Sequence, residues 1–522
     1  MGDPTFRVTY ATTSADDAVL HAAYEAGVEQ ARRGLGRSHR FRVGGEERSG
    51  LGVHVERSPI DRDVVIGEFA QATPSDVDDA VAASAAYAPV WAATPWQERV
   101  ALLRRAADVI ADRRYLLAGT VSFEVGKNRL EALGDVEESV DFIRYYCHEM
   151  ERHDGFRAPM NRLSPHEETS DILLPYGVWA VISPFNFPLA LAAGPAAAAL
   201  VAGNTVVVKP ATAGALSGLL LADALAGAGL PAAALQVVTG SGRLVGNTLV
   251  AHPQVAGITF TGSSDVGMSI YRSFSTQYPK PAICEMGGKN PVIVSTGADL
   301  DAAAEGTVRS AFGFGGQKCS AASRAFVTRS LYDDFLQRLA SRTAEITVGN
   351  PLDRGVFLGP LIDEAAVARY EEAAAEATAH GKVITGGRRP ASAELARGNY
   401  VLPTVVEAPA DSWIWRRELF APVLAVMPVD SMEEALARAN DTEYGLTAGF
   451  FGDDPAEIGR FLDGIHAGVV YTNRRAGATT GAWPAVQPFG GWKMSGTAGK
   501  GSGGPHYLTQ YLREQSRSIV TR

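Results

Sequence analysis

Residues 172–184 read ILLPYGVWAVISP, and residues 205–211 read TVVVKPA. Each is a short apolar run rich in Val and Ile that ends at a proline. LQVVTG at 235–240 and GITFTG at 257–262 repeat the pattern, with helical stretches between them. β-rich runs alternating with helices imply βαβ units around a parallel sheet. NPVIVS (290–295), RAFVT (324–328), LAVMPV (424–429) and GVVYTN (468–473) form a second set after Glu285, again with helices between. The expected fold class is α/β, with two lobes in sequence.

Working outward, residues 187–208 run FPLALAAGPAAAALVAGNTVVV without a charge. A spanning helix needs ~20 apolar residues, but Gly194, Pro195, Gly203 and Asn204 punctuate this run. A buried Ala-rich helix feeding a central strand is the better expectation, and no membrane partner is expected. FRVGGEERSG at 41–50 reads as a hairpin. From Pro74 to about Met150 the chain reads as successive amphipathic helices, the first with Ser75 as its expected cap. Residues 1–45 read as an N-terminal arm. YLTQYLREQSRSIV at 507–520 has no evident core of its own and reads as a terminal strand that pairs with another subunit.

The bulk composition excludes several classes. A chain of 522 residues exceeds one compact core. Its formal net charge of −10 gives no reason to expect nucleic acid or an anionic membrane. Three cysteines, Cys147, Cys284 and Cys319, make neither a disulfide framework nor a CxxC pair, so a reducing cytoplasm is expected. MGDPTFRVTYATTSADD shows neither a secretory signal nor a good myristoylation site. No metal site is expected.

Three short motifs carry chemistry. In GFGGQKCSAASR (313–324), Cys319 sits in a Gly-rich turn beside Lys318, a setting that biases a thiol toward thiolate. CEMGGKNP (284–291) puts Glu285 at a strand end, and SPFNFP (183–188) puts Asn186 in a chain reversal. Singly, these read as a buried cysteine, a solvated turn carboxylate and a turn amide. Together, a thiolate, a carboxylate able to activate water and an amide donor are the parts for acyl chemistry on a carbonyl. The chemistry alone fits a hydrolase as well as a dehydrogenase.

PYGVWAVISPFNFP, NTVVVKPA, FTGS, CEMGGKNP, GQKCSAASR, ELFAPV and YGLTAGF occur in the order seen in the aldehyde dehydrogenase superfamily, which the chain resembles from about residue 45 to 522. The resemblance implies two Rossmann-like lobes with a small β oligomerisation flap. The cofactor lobe would comprise 46–153 and 176–287, the catalytic lobe 288–488, and the oligomerisation segments 154–175 and 503–522. It implies Cys319 as nucleophile, Glu285 as general base and Asn186 as oxyanion donor. The cofactor would be NAD, lined by Ile182, Ser183, Pro184 and Phe185. Lys209 would hold the adenosine ribose, and Gly242 and Gly246 would open the helix beneath. Ser263 would lie near the pyrophosphate, Glu418 on the nicotinamide ribose and Phe420 beside the ring. GSGRLVG (240–246) misses the G-x-G-x-x-G spacing by one residue, as this superfamily's variant binding mode allows. Thr212 stands where many NAD-preferring members have Glu, which leaves NADP open. Ala421 stands for the usual glycine after Phe420.

EVGKNRLEALGDVEESVDFIRYYCHEM (124–150) and QPFGGWKMSGTAGKGSGGPHYLTQYLREQ (487–515) resemble the glutamate-semialdehyde branch of that superfamily. That branch implies backbone amides of Gly481 and Ala482 for a substrate carboxylate. It implies Phe187 and Phe489 flanking the aliphatic chain, the Ser320 hydroxyl nearby, and Glu131 toward the ammonium. A homo-oligomer, a dimer or larger, is implied. AWP inside the loop TTGAWPAVQPFGG (479–491) is unlike that branch, so another semialdehyde, or an aliphatic or aromatic aldehyde, stays open. A CoA-acylating enzyme competes less well because Glu285 is a ready base for water. A catalytically silent scaffold protein would not need Cys319, Glu285 and Asn186 together.

Overall fold

The structure is a computed structural model that describes residues 18–475 and 483–521. Its first sheet has seven strands in the order Ala282–Glu285, Val255–Thr261, Val178–Ile182, Thr205–Lys209, Leu235–Val237, Phe41–Val43 and Glu46–Arg48. The first five are parallel, and the last two join as an antiparallel hairpin. Gly44 and Gly45 (φ 60° and 93°) form its two-residue turn, because a type I′ turn needs positive φ at both positions. Val178–Ile182 and Thr205–Lys209 are buried on both faces, which is why they read as unbroken apolar runs. The register sets Lys209 opposite Ile182, Ile182 opposite Phe260, and Thr261 opposite Glu285. The carboxyl ends of four strands therefore stand in one row.

The Ala-rich run forms the buried helix Ala190–Ala202, closed by Gly203 at φ 100°, and leads into the strand Thr205–Lys209. Among the described residues no helix is long and apolar enough to cross a membrane. Four helices fill the stretch expected to be helical: Pro74–Ala93, Trp96–Asp112, Arg114–Val125 and Arg129–Arg152. The first is capped by Thr73 rather than the expected Ser75. Thr73 Oγ1 accepts from Asp76 N, and Asp76 Oδ2 accepts from Thr73 N. That capping box places Pro74, which has no N–H to lose, in the first turn.

Residues 18–45, expected as an arm, are built into the first lobe. The helix Ala18–Arg32 buries Tyr24, Val28 and Ala31 in that lobe's core. Gly27 permits the contact, because a Cβ there would lie 2.3 Å from the Tyr115 carbonyl oxygen.

The second sheet runs Lys382–Thr385, Thr404–Glu407, Val423–Val429, Ala322–Thr328, Asn290–Val294, Thr447–Phe451 and Val469–Thr472. It is parallel except for its first pair. After it the chain returns to the first lobe. Ser495 O accepts from Met286 N, and Thr497 Oγ1 accepts from Cys284 N and donates to Ala282 O.

The terminal strand Leu512–Val520 pairs antiparallel with Glu167–Pro175 of its own chain, and its other edge is unpaired among the described residues. It is the edge of a three-stranded sheet completed by Arg157–Pro159. The residues before it, expected as part of the same flap, instead bury Tyr507, Leu508 and Tyr511 in the first lobe.

Candidate active site

The row of strand ends in the first sheet carries Ile182, Lys209, Thr261 and Glu285, with Ser263 as N-cap of the helix Ser264–Phe274 just beyond. The second lobe meets this row with the loops that enter its strands. Cys319 lies just before Ala322–Thr328, and Phe420 just before Val423–Val429. Ligands of open α/β sheets gather outside the carboxyl ends of the strands.

Cys319 is set by a run of left-handed backbone at Phe314, Gly315 and Gly316 (φ 50°, 62° and 67°). Gly316 backs onto the Phe420 turn, since a Cβ there would lie 2.6 Å from Ala421 O. Asn290 Nδ2 donates to the carbonyls of Cys319 (2.7 Å) and Ala321 (2.9 Å), while its Oδ1 accepts from Thr447 N. Asn186 Nδ2 donates to Gln317 O at 3.0 Å, and Gln317 is itself bonded to Phe314, Pro360 and Ile362. An amide NH₂ has two N–H groups, so Asn186 keeps a second donor beyond that bond.

Sequence reading missed Asn290 and Gln317. Both lie inside motifs quoted for other residues, and an amide flanking a glycine turn or preceding a proline is the signal that marks them.

The electrostatics depart from expectation at the thiol. Lys318 Nζ lies 2.6 Å from the Glu131 carboxylate. Cys319 is instead pushed up to about 12 by burial first, then by the charges of Glu418 and Glu285. Burial holds Glu285 up at about 8, and its Oε2 is shut from solvent with no hydrogen-bond partner. Burial also raises Glu418 to about 7, against the Gly288 N–H that it accepts at 2.9 Å.

Two cavities meet at Cys319. One of about 460 Å³ is lined by Pro184, Phe185, Asn186, Ser263, Glu418 and Phe420. The other, about 70 Å³, is lined by Glu138, Phe187, Glu285, Ser320, Phe489 and Tyr507. Cys319, Thr261 and Met286 belong to both.

The larger cavity has an aromatic wall and a fixed carboxylate, which suit the ring and ribose end of a dinucleotide. Phe185 and Phe420 meet edge-on at 5.9 Å. At Gly287 a Cβ would lie 2.1 Å from the Glu418 carboxylate, so only glycine leaves that carboxylate its place. Ile182, Ser183, Lys209, Thr212, Gly242 and Gly246 stand outside this cavity. Ile182, Lys209 and Gly246 cluster together, with the Lys209 and Ile182 side chains 3.7 and 4.0 Å from a Cβ built at Gly246. Lys209 is buried, donates to Pro210 O at 2.6 Å and is lowered by burial to about 8.

Besides Glu285, the smaller cavity is lined by one more acidic residue, Glu138. Glu131, expected there, stands seven residues earlier on the same helix, Arg129–Arg152, and is engaged by Lys318. Gly481 and Ala482 lie outside the described residues.

The model of the aldehyde dehydrogenase family matches residues 48–516, and the chain belongs to that family. It is 37% identical over 503 residues to 1-pyrroline-5-carboxylate dehydrogenase of Bacillus cytotoxicus, covering 95% of this chain and 96% of that one. The structure of 1-pyrroline-5-carboxylate dehydrogenase from Thermus with bound NAD superposes with a TM-score of 0.94 at 34% identity, covering 100% of both chains. An NADP dependent enzyme of E. coli superposes with a TM-score of 0.86 at 32% identity, covering 92% of this chain and 98% of that one.

Proposed function

We propose that this protein oxidises L-glutamate 5-semialdehyde, the open-chain form of 1-pyrroline-5-carboxylate, to L-glutamate with NAD as hydride acceptor. The observation that carries this reading is the meeting of two cavities at Cys319, one suited to a dinucleotide and one to a small aldehyde. The likeness to 1-pyrroline-5-carboxylate dehydrogenases along nearly the whole chain supports the substrate.

The Cys319 sulfur, as thiolate, bonds to the aldehyde carbon, and the carbonyl π pair moves to oxygen. The free N–H of Asn186 and the backbone N–H of Cys319 stabilise that oxyanion. NAD, when bound, accepts the hydride from the same carbon and thereby leaves a thioester on Cys319. Glu285 takes a proton from water as the water oxygen bonds to the thioester carbon. The C–S bond breaks, releasing the carboxylate and restoring the thiolate.

Lys209 would hold the adenosine ribose, with the wall from Ile182 to Phe185 alongside. Gly242, Gly246 and Ser263 would face the pyrophosphate, Glu418 the nicotinamide ribose and Phe420 the ring. Thr212 carries no charge to repel a 2′-phosphate, so NADP serves as a second acceptor. Glu138 takes over from Glu131 as the partner of the substrate ammonium. Phe187 and Phe489 flank the chain beside Ser320, and the Gly481 and Ala482 amides receive the α-carboxylate. The open edge of Leu512–Val520 suits pairing between subunits of a cytoplasmic homo-oligomer.

The test is a steady-state assay of 1-pyrroline-5-carboxylate against simple aliphatic and aromatic aldehydes, each with NAD and NADP. Preference for 1-pyrroline-5-carboxylate is expected. Preference for a simple aldehyde would overturn the substrate and leave the thioester chemistry standing.

A further inference from the structure

The AWP stretch that sets the loop 479–491 apart supplies an anchor. Trp483 is 3% exposed, although Ala485 and Val486 just after it face solvent. Its Nε1 donates to Asp141 Oδ2 at 2.6 Å. An indole N–H can only donate, and a carboxylate is the strongest acceptor it can find. Asp141 stands on the helix Arg129–Arg152, one turn from Glu138 and next to Phe142, and those two side chains line the small cavity. Trp483 therefore fastens its loop to the helix that forms one wall of that cavity. Phe489 and Ser502 belong to the opposite wall. They bond each other twice, Phe489 N to Ser502 O at 2.8 Å and Ser502 N to Phe489 O at 2.6 Å.

Trp483 reaches this second wall through its own turn. Val486 N and Gln487 N donate to Trp483 O at 2.9 and 3.1 Å, and Ala485 N donates to Gly503 O at 3.0 Å. Pro484 rests on Gly503, where a Cβ would lie 2.9 Å from Pro484 Cα and 3.4 Å from Phe142 Cε1. Tyr146, on the same helix as Asp141, makes a second tie, its hydroxyl accepting from Gly503 N at 3.1 Å. We infer that Trp483 is a positioning residue that sets the width of the small cavity. Through Asp141 it holds the Phe489–Ser502 wall against Phe142 and Glu138, which favours slender aliphatic aldehydes over bulky aromatic ones. This rests on the small cavity receiving the aldehyde.

The test is kcat and KM for propanal and for benzaldehyde in wild type, Trp483→Phe, Asp141→Ala, Asp141→Asn and the double variant of Trp483→Phe with Asp141→Ala. NAD affinity is followed in each by fluorescence titration. In Trp483→Phe the propanal-to-benzaldehyde ratio of kcat/KM should fall roughly tenfold, the scale of one lost hydrogen bond to a charged group. The change should lie in the two KM values more than in kcat. Asp141→Ala should match it, and the double variant should be no worse than either, because both remove the same contact. Asp141→Asn, whose amide oxygen still accepts, should restore most of the ratio. NAD affinity should stay at the wild-type value, because the dinucleotide has the other cavity. A wild-type ratio in Trp483→Phe, or NAD binding lost along with the ratio, would overturn the inference. Both aldehydes are simple ones, so the result is independent of whether 1-pyrroline-5-carboxylate is the substrate.

Discussion

Lys318 Nζ and the Glu131 carboxylate lie 2.6 Å apart, so the cation next to the nucleophile in sequence is committed to a helix and not to the thiol. Burial and the charges of Glu418 and Glu285, rather than Lys318, dominate at Cys319. The pair is almost wholly buried, with 1% and 13% of the two side chains exposed. Breaking a buried ion pair by removing one member costs ~3–5 kcal/mol. Glu131→Gln should therefore lower the urea midpoint clearly. Unfolding indistinguishable from wild type would show that the pair is not held in solution.

Asn186→Ala should lower kcat by roughly 10²–10³, the measured range for losing one oxyanion donor, with the cofactor still bound. Cys319→Ala should abolish turnover and keep cofactor binding. Comparing kcat with NAD affinity by fluorescence titration separates these effects. A Cys319→Ala enzyme that still oxidises aldehyde would refute the thioester.

Burial raises Glu285 to about 8. A base works only when ionised, so thioester hydrolysis should climb with pH and level off above about 8. A hydrolysis rate already flat from pH 6 upward would mean that Glu285 is ionised throughout.

Glu56 and Glu124 are a buried carboxyl pair at the start of the helix Ala215–Gly227. Glu124 accepts from Leu216 N, Ser217 N and the Ser217 hydroxyl, and Glu56 lies toward the Gly214 and Ala215 N–H groups. Burial first, and the charge of Glu124 next, raise Glu56 well above its ordinary 4.5. Glu124 is raised to about 7, chiefly by burial. The folded chain keeps protons that the unfolded chain releases, so this contribution is complete below 4.5 and is lost as pH rises through 7 and beyond. Glu56→Gln should blunt that loss, measured as the difference in urea midpoint between pH 5 and pH 8. An equal loss in both proteins would exclude Glu56 as a proton holder.

Thr212→Glu should raise the KM for NADP and spare that for NAD, because a carboxylate repels a 2′-phosphate and accepts from ribose hydroxyls. Unchanged KM ratios would place Thr212 away from the adenosine ribose.

Local pattern made the central parallel strands legible, since a strand buried on both faces has nowhere to hide its valines. The pairing of Ala18–Arg32 with Arg114–Val125 was not legible, because the fit of Gly27 against Tyr115 belongs to two distant segments at once. The same holds at the site. Cys319, Glu285 and Asn186 sit in motifs, but Asn290 acts by bonding carbonyls of a turn nearly thirty residues away. That Glu138 rather than Glu131 lines the small cavity depends on the depth of the helix relative to the strand ends. Both residues share a helical face, and only one reaches the cavity.

The two cavities share little more than Cys319, Thr261 and Met286, which gives the molecule two doors onto one sulfur. The spent dinucleotide can leave by its own side while the acyl group stays tethered on the other. Water for release then needs to arrive only where Glu285 waits, on the substrate side. The walls thus give the two ligands separate sides of the sulfur, and neither has to pass the other.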